Sequence, residues 1–390
     1  MTMDARIWQL PGPRSFVDEI TLGNGRHVVA TLPRRLSDDE IFADELAHAV
    51  LDRFRGTGRD ARRISPDPTQ SVLAAVSDLC WEPVPTVPDL LASSELADMV
   101  LVLAAVDLSE AARRDLPHLL ERIECESRAL PRDARPTFVV IGSRFDLPSF
   151  LGGARSEVGL ESVWFWGRIS RWDVAAHVAS AQRREDTGLL AEVRLETIVE
   201  VAAWDIDTAD YLVTHWCGDP DRLSTVLRDA QAGDPVDHAD LPSERIDDVP
   251  PAMALAAWDA RAVDSWQQRL HCGPAAVLRA EDDLARVVWA AQARVLLPWI
   301  EQRRDRLQTL VRNALGERFT SAMSRTLPDL TPGAPIEIGP LTHLIHYERS
   351  LSTLLGPATQ LKRARNALAH LTPLSISEQR ALVERCEELS

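Results

Sequence analysis

Lysine is almost missing from this chain. Among 43 basic residues only one, Lys362, is a lysine. A working phosphate-binding loop of the form G-x-x-x-x-G-K-[ST] needs a lysine to reach the phosphates, and Lys362 follows a leucine, so such a loop is excluded. Positive charge is also scarce overall. A net charge of -16 argues against generalised binding to nucleic acid or to acidic membranes, though not against one local basic site. The five cysteines (Cys80, Cys125, Cys217, Cys272, Cys386) are scattered, odd in number and lack any C-x-x-C pair, which excludes a disulfide framework or a zinc knuckle. No apolar run reaches membrane-span length; the most hydrophobic, Met99 to Val106, is strand-sized. Met1 to Leu10 lack the basic-then-apolar pattern of a signal peptide, so a cytoplasmic location without membrane association is expected. No G-x-S-x-G elbow and no metal-ligand spacing occurs, so neither a serine nucleophile, a metal nor another cofactor is expected.

What is present divides the chain into three segments: 1–175, 176–270 and 271–390. In the first, apolar runs alternate with helical patterns. Arg26 to Leu32, Arg62 to Ser65, Asp98 to Val106, Thr137 to Gly142 and Glu161 to Trp166 read as strands. Ser37-Asp38-Asp39-Glu40 reads as a capping box opening a helix to about Phe54, and Glu110 to Glu126 as another helix. Buried strands separated by helices imply an α/β domain with a parallel sheet covered on both faces. The five strands in this order resemble the core of P-loop NTPases of the AAA+/STAND type. That resemblance puts the phosphate-binding loop after Leu32 and an acidic metal-binding residue at Asp107. The turn reads Leu32-Pro33-Arg34-Arg35-Leu36-Ser37, with no glycine and no lysine. A degenerate P-loop-NTPase-like module without ATPase activity is therefore expected, with Asp107 a polar strand-end residue.

The middle segment reads as helices over Leu189 to Ala203, Thr208 to Cys217 and Arg222 to Ala230, an acidic loop over Ala232 to Pro251, and a further helix-like period to Leu270. It resembles the all-α, winged-helix-like lid that follows STAND-type cores. Its acidity favours packing or protein interaction over DNA reading.

The last segment is a helical bundle. Glu281 to about Arg318 is one long helix or two, with Pro298 expected to kink or break it. A Pro/Gly-rich connection covers Thr326 to Gly339, and a helix over Pro340 to Leu355 is ended by Gly356-Pro357. The next helix, Ala358 to Leu371, carries Leu361-Lys362-Arg363-Ala364-Arg365-Asn366-Ala367-Leu368-Ala369-His370, and Ser375 to Glu378 caps the last. Arg365 and His370 also have a poorer parallel in Arg113 and His118, which has a proline inside and no asparagine.

Arg365-Asn366-Ala367-Leu368-Ala369-His370 matches the R-N-x-x-x-H signature of the HEPN superfamily, and Trp289, Gln292, Leu296, Pro298, Ile300, Glu301 and Arg304 suit its long first helix. The resemblance covers about 110 residues. It implies a HEPN-like helical bundle, a homodimer joined through this domain, and metal-independent RNA cleavage in bacterial antiviral defence or toxin–antitoxin systems. Under it Arg365, Asn366 and His370 are catalytic, Lys362 and Arg363 bind RNA phosphates, and the N-terminal modules sense or recruit a protein partner.

The residue chemistry agrees with such a role. Histidine titrates near neutrality and serves as acid or base, and arginine grips a phosphoryl group through two donors. Asn366 and His370, four apart, share a helix face, whereas Arg365 and His370 point about 140° apart. One helix therefore does not close a tight dyad; the resemblance to HEPN proteins, whose two protomers bring their motifs into a shared cleft, implies a dimer with a composite site. The competing reading is a non-catalytic adaptor in a multi-protein defence complex, its basic residues merely offsetting a helix dipole.

Overall fold

The computed structural model describes residues 5–22, 26–147, 160–182, 187–230, 249–274, 278, 281–326 and 335–389. The expected acidic loop and the Pro/Gly-rich connection fall largely outside them. Contacts gather the chain into two compact units, Met1–Ala176 with Asp234–Gly273, and His177–Gly233 with Pro274–Ser390.

The first unit is an α/β domain. Its strands are β1 (His27–Leu32), β2 (Ala61–Ile64), β3 (Val100–Ala104), β4 (Thr137–Ser143) and β5 (Leu160–Trp164). They form one sheet in the order β2-β3-β4-β1-β5, with every neighbouring pair parallel. β1, β3 and β4 are buried at every position, as expected for central strands covered on both faces. The helices are α1 (Pro11–Thr21), α2 (Arg34–Ser37), α3 (Glu40–Gly56), α4 (Val72–Ser77), α5 (Val87–Ala92) and α6 (Glu110–Ser127). The cap of α3 is Asp39, whose carboxylate accepts from the Ile41 and Phe42 N–H groups; Ser37 ends the short α2 instead of opening α3. Helix α7 (Arg171–Ala181) carries the boundary between the units.

The middle segment is not all-α. Helices α8 (Leu189–Ala202), α9 (Ile206–His215) and α10 (Pro220–Ala230) form as read. Within 252–270, however, only α11 (Leu255–Asp259) is helical, and an antiparallel hairpin of β6 (Val263–Trp266) and β7 (Arg269–Cys272) follows. Its two turn residues, Gln267 and Gln268, both have positive φ (52° and 63°), the conformation a two-residue hairpin needs. Asparagine–glycine normally signals that turn, so glutamines hid it.

This segment is also shared between the units. Val193 of α8 lies in the same apolar core as Leu296 and Ile300, and Arg294 pairs with Glu196 and Glu200. Residues 249–273 instead pack Trp258 and Val263 against Trp164 and Trp166 of the α/β unit.

The C-terminal helices are α12 (Glu281–Leu315), α13 (Phe319–Thr326), α14 (Ile338–Tyr347), α15 (Leu355–Ala369) and α16 (Ile376–Cys386). α12 runs unbroken through Pro298. Gly356-Pro357 open α15 instead of closing the preceding helix, and Pro357 sits in a first turn, where its missing N–H costs little. No helix among the described residues is long and apolar enough to cross a membrane.

Candidate functional site

Helix α15 buries Pro357, Ala358, Leu361, Ala364 and Leu368, positions that recur at helical spacing and fix its rotation on the bundle core. That leaves Lys362, Arg363, Asn366 and His370 exposed. On an ideal helix these four fall within about 100° of one another. Arg365 lies outside that arc and is half-buried. The face therefore brings four of the five expected site residues together, and a single copy of the chain keeps Arg365 apart from His370. None of the five side chains takes a hydrogen bond or an ion pair from the described residues.

The end of α15 is held firmly. His370 caps the helix; the Leu371 N–H reaches the Leu368 carbonyl (3.3 Å) and the Thr372 N–H reaches the Ala367 carbonyl (3.0 Å). This is the pairing of a Schellman cap, which requires the residue after the cap to be left-handed. That residue is Leu371, at φ 59° and 58% exposed. From α12, the Trp289 indole donates to the Leu368 carbonyl (2.6 Å). The buried Gln292 amide donates to the Leu374 carbonyl (2.9 Å) and accepts from its N–H (2.6 Å). Ser375 and Glu378 form the expected reciprocal cap of α16. His370 thus sits at the lip of a turn pinned from three directions. Between α15 and α16 runs a groove of about 420 Å³ whose lining includes Gln360, Arg363, Asn366, Ser377 and Glu378 but not His370. His343 and His346 meet the ring of the exposed Tyr347 edge-on (4.7 and 5.4 Å between centroids).

The motif has a partial duplicate that the sequence reading passed over. Arg312-Asn313-Ala314-Leu315 ends α12 with the same four letters, but its fifth successor to the arginine is Glu317. Arg312 lies over the Phe319 ring (5.3 Å) and Leu315 is buried, so those letters also serve as an ordinary helix end. The histidine is what separates the two copies.

In the α/β unit, the carboxyl ends of the strands are closed by ion pairs. Arg63 grips Asp107 with two nitrogens (2.8–3.1 Å) and also binds Asp44, which holds the Asp44 carboxyl below its ordinary value. Arg113 pairs with Asp146 and with Asp38 (2.6 Å), and these carboxylates raise its guanidinium further above its usual value. The Asp146 carboxylate also accepts from the Ser143 N–H and hydroxyl (2.8 and 2.6 Å). Asp107 is thus committed to an arginine. The partners come from far apart in sequence, and with arginine and aspartate so abundant, no local signal marks them. Among the described residues no cluster of three or more histidine, cysteine or acidic side chains is placed to hold a metal ion.

No protein-family model matches the chain, and no curated protein matches it in sequence.

Proposed function

We propose that the chain is a metal-independent, HEPN-type endoribonuclease of a bacterial defence or toxin-like system, acting as a homodimer through its C-terminal helical domain. The observation that carries this reading is the exposed, unpaired Lys362–Arg363–Asn366–His370 face at a rigidly held helix end. In an arginine-rich chain whose other arginines are so often tied to carboxylates, this face keeps its polar groups free for a ligand. Cleavage of RNA by its own 2′-hydroxyl needs a base to remove that proton, an acid for the leaving 5′-oxygen, and a cation for the charge that develops on phosphorus. His370 serves as acid or base and Asn366, about 40° away around the helix, orients it. Arg365 supplies the cation from the second protomer, and Lys362 and Arg363 hold flanking phosphates. The products are a 2′,3′-cyclic phosphate and a 5′-hydroxyl. The α/β unit, with its parallel sheet, acts as a degenerate NTPase-like sensing or recruiting module.

A second reading is a non-catalytic adaptor that uses the bundle for dimerisation. It is favoured by the separation of Arg365 from His370 in one chain. RNA cleavage in EDTA decides between them, comparing wild type with His370→Ala and Arg365→Ala on structured and tRNA-like substrates. Cleavage that survives EDTA and is lost in both variants supports the nuclease. Stable partners without any cleavage support the adaptor, and cleavage unchanged in the variants removes this mechanism.

A further inference from the structure

The second unit holds an open cavity of about 640 Å³ between the start of α8, the end of α9 and the first turns of α16. That volume suits a small-molecule site, for which roughly 300–1,000 Å³ is usual. Leu190, Val213 and Ile376 make its apolar side, and Arg194, His215 and Arg380 its polar side. No aspartate or glutamate lines it among the described residues. The chain carries 59 acidic residues against 43 basic ones, and two other openings both include carboxylates. The groove beside α15 has Glu378, and a cleft of about 450 Å³ in the α/β unit has Glu110 and Asp146. A lining with two arginines and no described carboxylate therefore stands apart from its surroundings.

Its walls are held in place by contacts within the unit. α9 ends at His215, and a helix end presents carbonyls whose partial negative charge repels an anion. Arg194 of α8 covers two carbonyls here, donating to those of Val213 (2.6 Å) and Trp216 (2.9 Å). The Trp216 ring is buried, and its indole donates to the Asp219 carbonyl (2.8 Å). His215 donates through Nδ1 to the Tyr211 carbonyl (2.9 Å) and stacks on the Tyr211 ring (4.1 Å between centroids). Arg380, by contrast, is exposed on α16 and takes no hydrogen bond or ion pair from the described residues. The cavity thus combines a fixed polar wall, an apolar wall and one guanidinium without a partner.

We propose that this cavity binds a small organic anion, a phosphate monoester or a carboxylate, whose head pairs with Arg380 and whose apolar body lies against Leu190, Val213 and Ile376. Both head groups match the planar fork of a guanidinium, which holds two oxygens at once through charge-assisted hydrogen bonds. The proposal is independent of the ribonuclease reading, since no residue of the Lys362–His370 motif lines the cavity.

The test is alkylation of the full-length chain by neutral iodoacetamide at fixed ionic strength, read thiol by thiol with mass spectrometry. Cys217 lines the cavity and is exposed, so it reports occupancy; Cys125 on α6 is an exposed thiol of the other unit and serves as control. The probes are phenyl phosphate, benzoate and the uncharged benzyl alcohol, each titrated to about 10 mM, beyond a millimolar dissociation constant. At least one of the two anions is expected to slow alkylation of Cys217 and leave Cys125 unchanged, and the tighter of the two identifies the head group. Arg380→Gln is expected to raise the anion concentration needed by about tenfold or more. Arg318→Gln removes the same charge from an exposed position outside the cavity and should behave as wild type. Cys386, buried on the same helix as Arg380, should stay unreactive in both variants, which marks an intact bundle. Equal protection by benzyl alcohol overturns the anion assignment, as does wild-type affinity in Arg380→Gln. Failure of both anions to protect Cys217, or equal slowing of Cys125, overturns the site.

Discussion

The imidazole of His370 stands at the end of α15 with no partner among the described residues, and Arg363 and Arg365 leave the same helix in different directions. If His370 moves the proton, His370→Ala should lower cleavage by about 10²- to 10⁴-fold, the range for loss of a general acid or base. Arg365→Ala should reduce kcat, because that group meets only the transition-state charge, whereas Arg363→Ala should raise KM and leave kcat nearly unchanged. Steady-state kinetics on one short RNA separates the two. Leu371 offers a test that does not depend on catalysis. A leucine in the left-handed region costs about 1–2 kcal/mol that glycine avoids, and the extra chain entropy of glycine in the unfolded state offsets part of this. Leu371→Gly is therefore expected to stabilise the protein by roughly 0.5–1 kcal/mol in urea unfolding. A destabilised Leu371→Gly would mean that the exposed side chain contributes packing which its exposure does not reveal.

At the scale of elements, two buried polar side chains, Gln292 and Asp264, each hold loop or hairpin backbone within their own unit. Gln292 satisfies both backbone groups of Leu374, and Gln379 gives that carbonyl a second donor (3.0 Å). Gln292→Leu strands chiefly the buried Leu374 N–H and should cost about 1–3 kcal/mol, with faster exchange at residues 370–375. Asp264 controls the hairpin. Burial pushes its carboxyl up from 3.8 to about 7, against the opposing pull of the Gly167 and Ser265 N–H groups. The folded form thus holds the proton more tightly than the unfolded form does. Its contribution is complete below about pH 4 and is lost as pH rises through about 7. Exchange across 263–272 should accelerate between pH 5 and pH 8 beyond the intrinsic rate, and Asp264→Asn should remove that excess. The sequence made these elements visible to different degrees. The buried strands stand out because apolar side chains run without interruption through Val100–Ala104 of β3 and Phe138–Ile141 of β4. The β6–β7 hairpin does not, because Gln267 and Gln268 adopt a turn that glutamine does not advertise. Pro298 misleads in the other direction: α12 is packed along its length by Leu296, Ile300 and Leu307, and this burial outweighs one missing hydrogen bond.

At the scale of the whole chain, the wiring between units was the least legible feature. Nothing in composition separates 177–233 from 249–273; the division follows from which core takes Val193 and which takes Trp258, and side-chain packing of that kind leaves no local trace in sequence. The helix that carries the motif, by contrast, was legible in part: helical spacing marks it, but its start at Leu355 and the left-handed Leu371 that closes it carry no local signal. What a single chain does not provide is Arg365 beside His370. If the active unit is a dimer with one arginine from each protomer facing the other's histidine, Arg365→Ala and His370→Ala should each be inactive alone. Mixed after dissociation and reassociation, they should form heterodimers in which one protomer retains the histidine and its partner the arginine. About half of the dimers in an equimolar mixture are of this kind when pairing is random. Cleavage should then return to a substantial fraction of wild type, with a rate that rises with total protein until dimers saturate. An adaptor gives no activity in any mixture. A site completed within one chain gives two inactive variants that stay inactive together, since each protomer then lacks one of its own groups. Complementation therefore separates a composite site from a single-chain site, and both from a scaffold that only carries the motif's letters when the wild-type cleavage assay is read beside it.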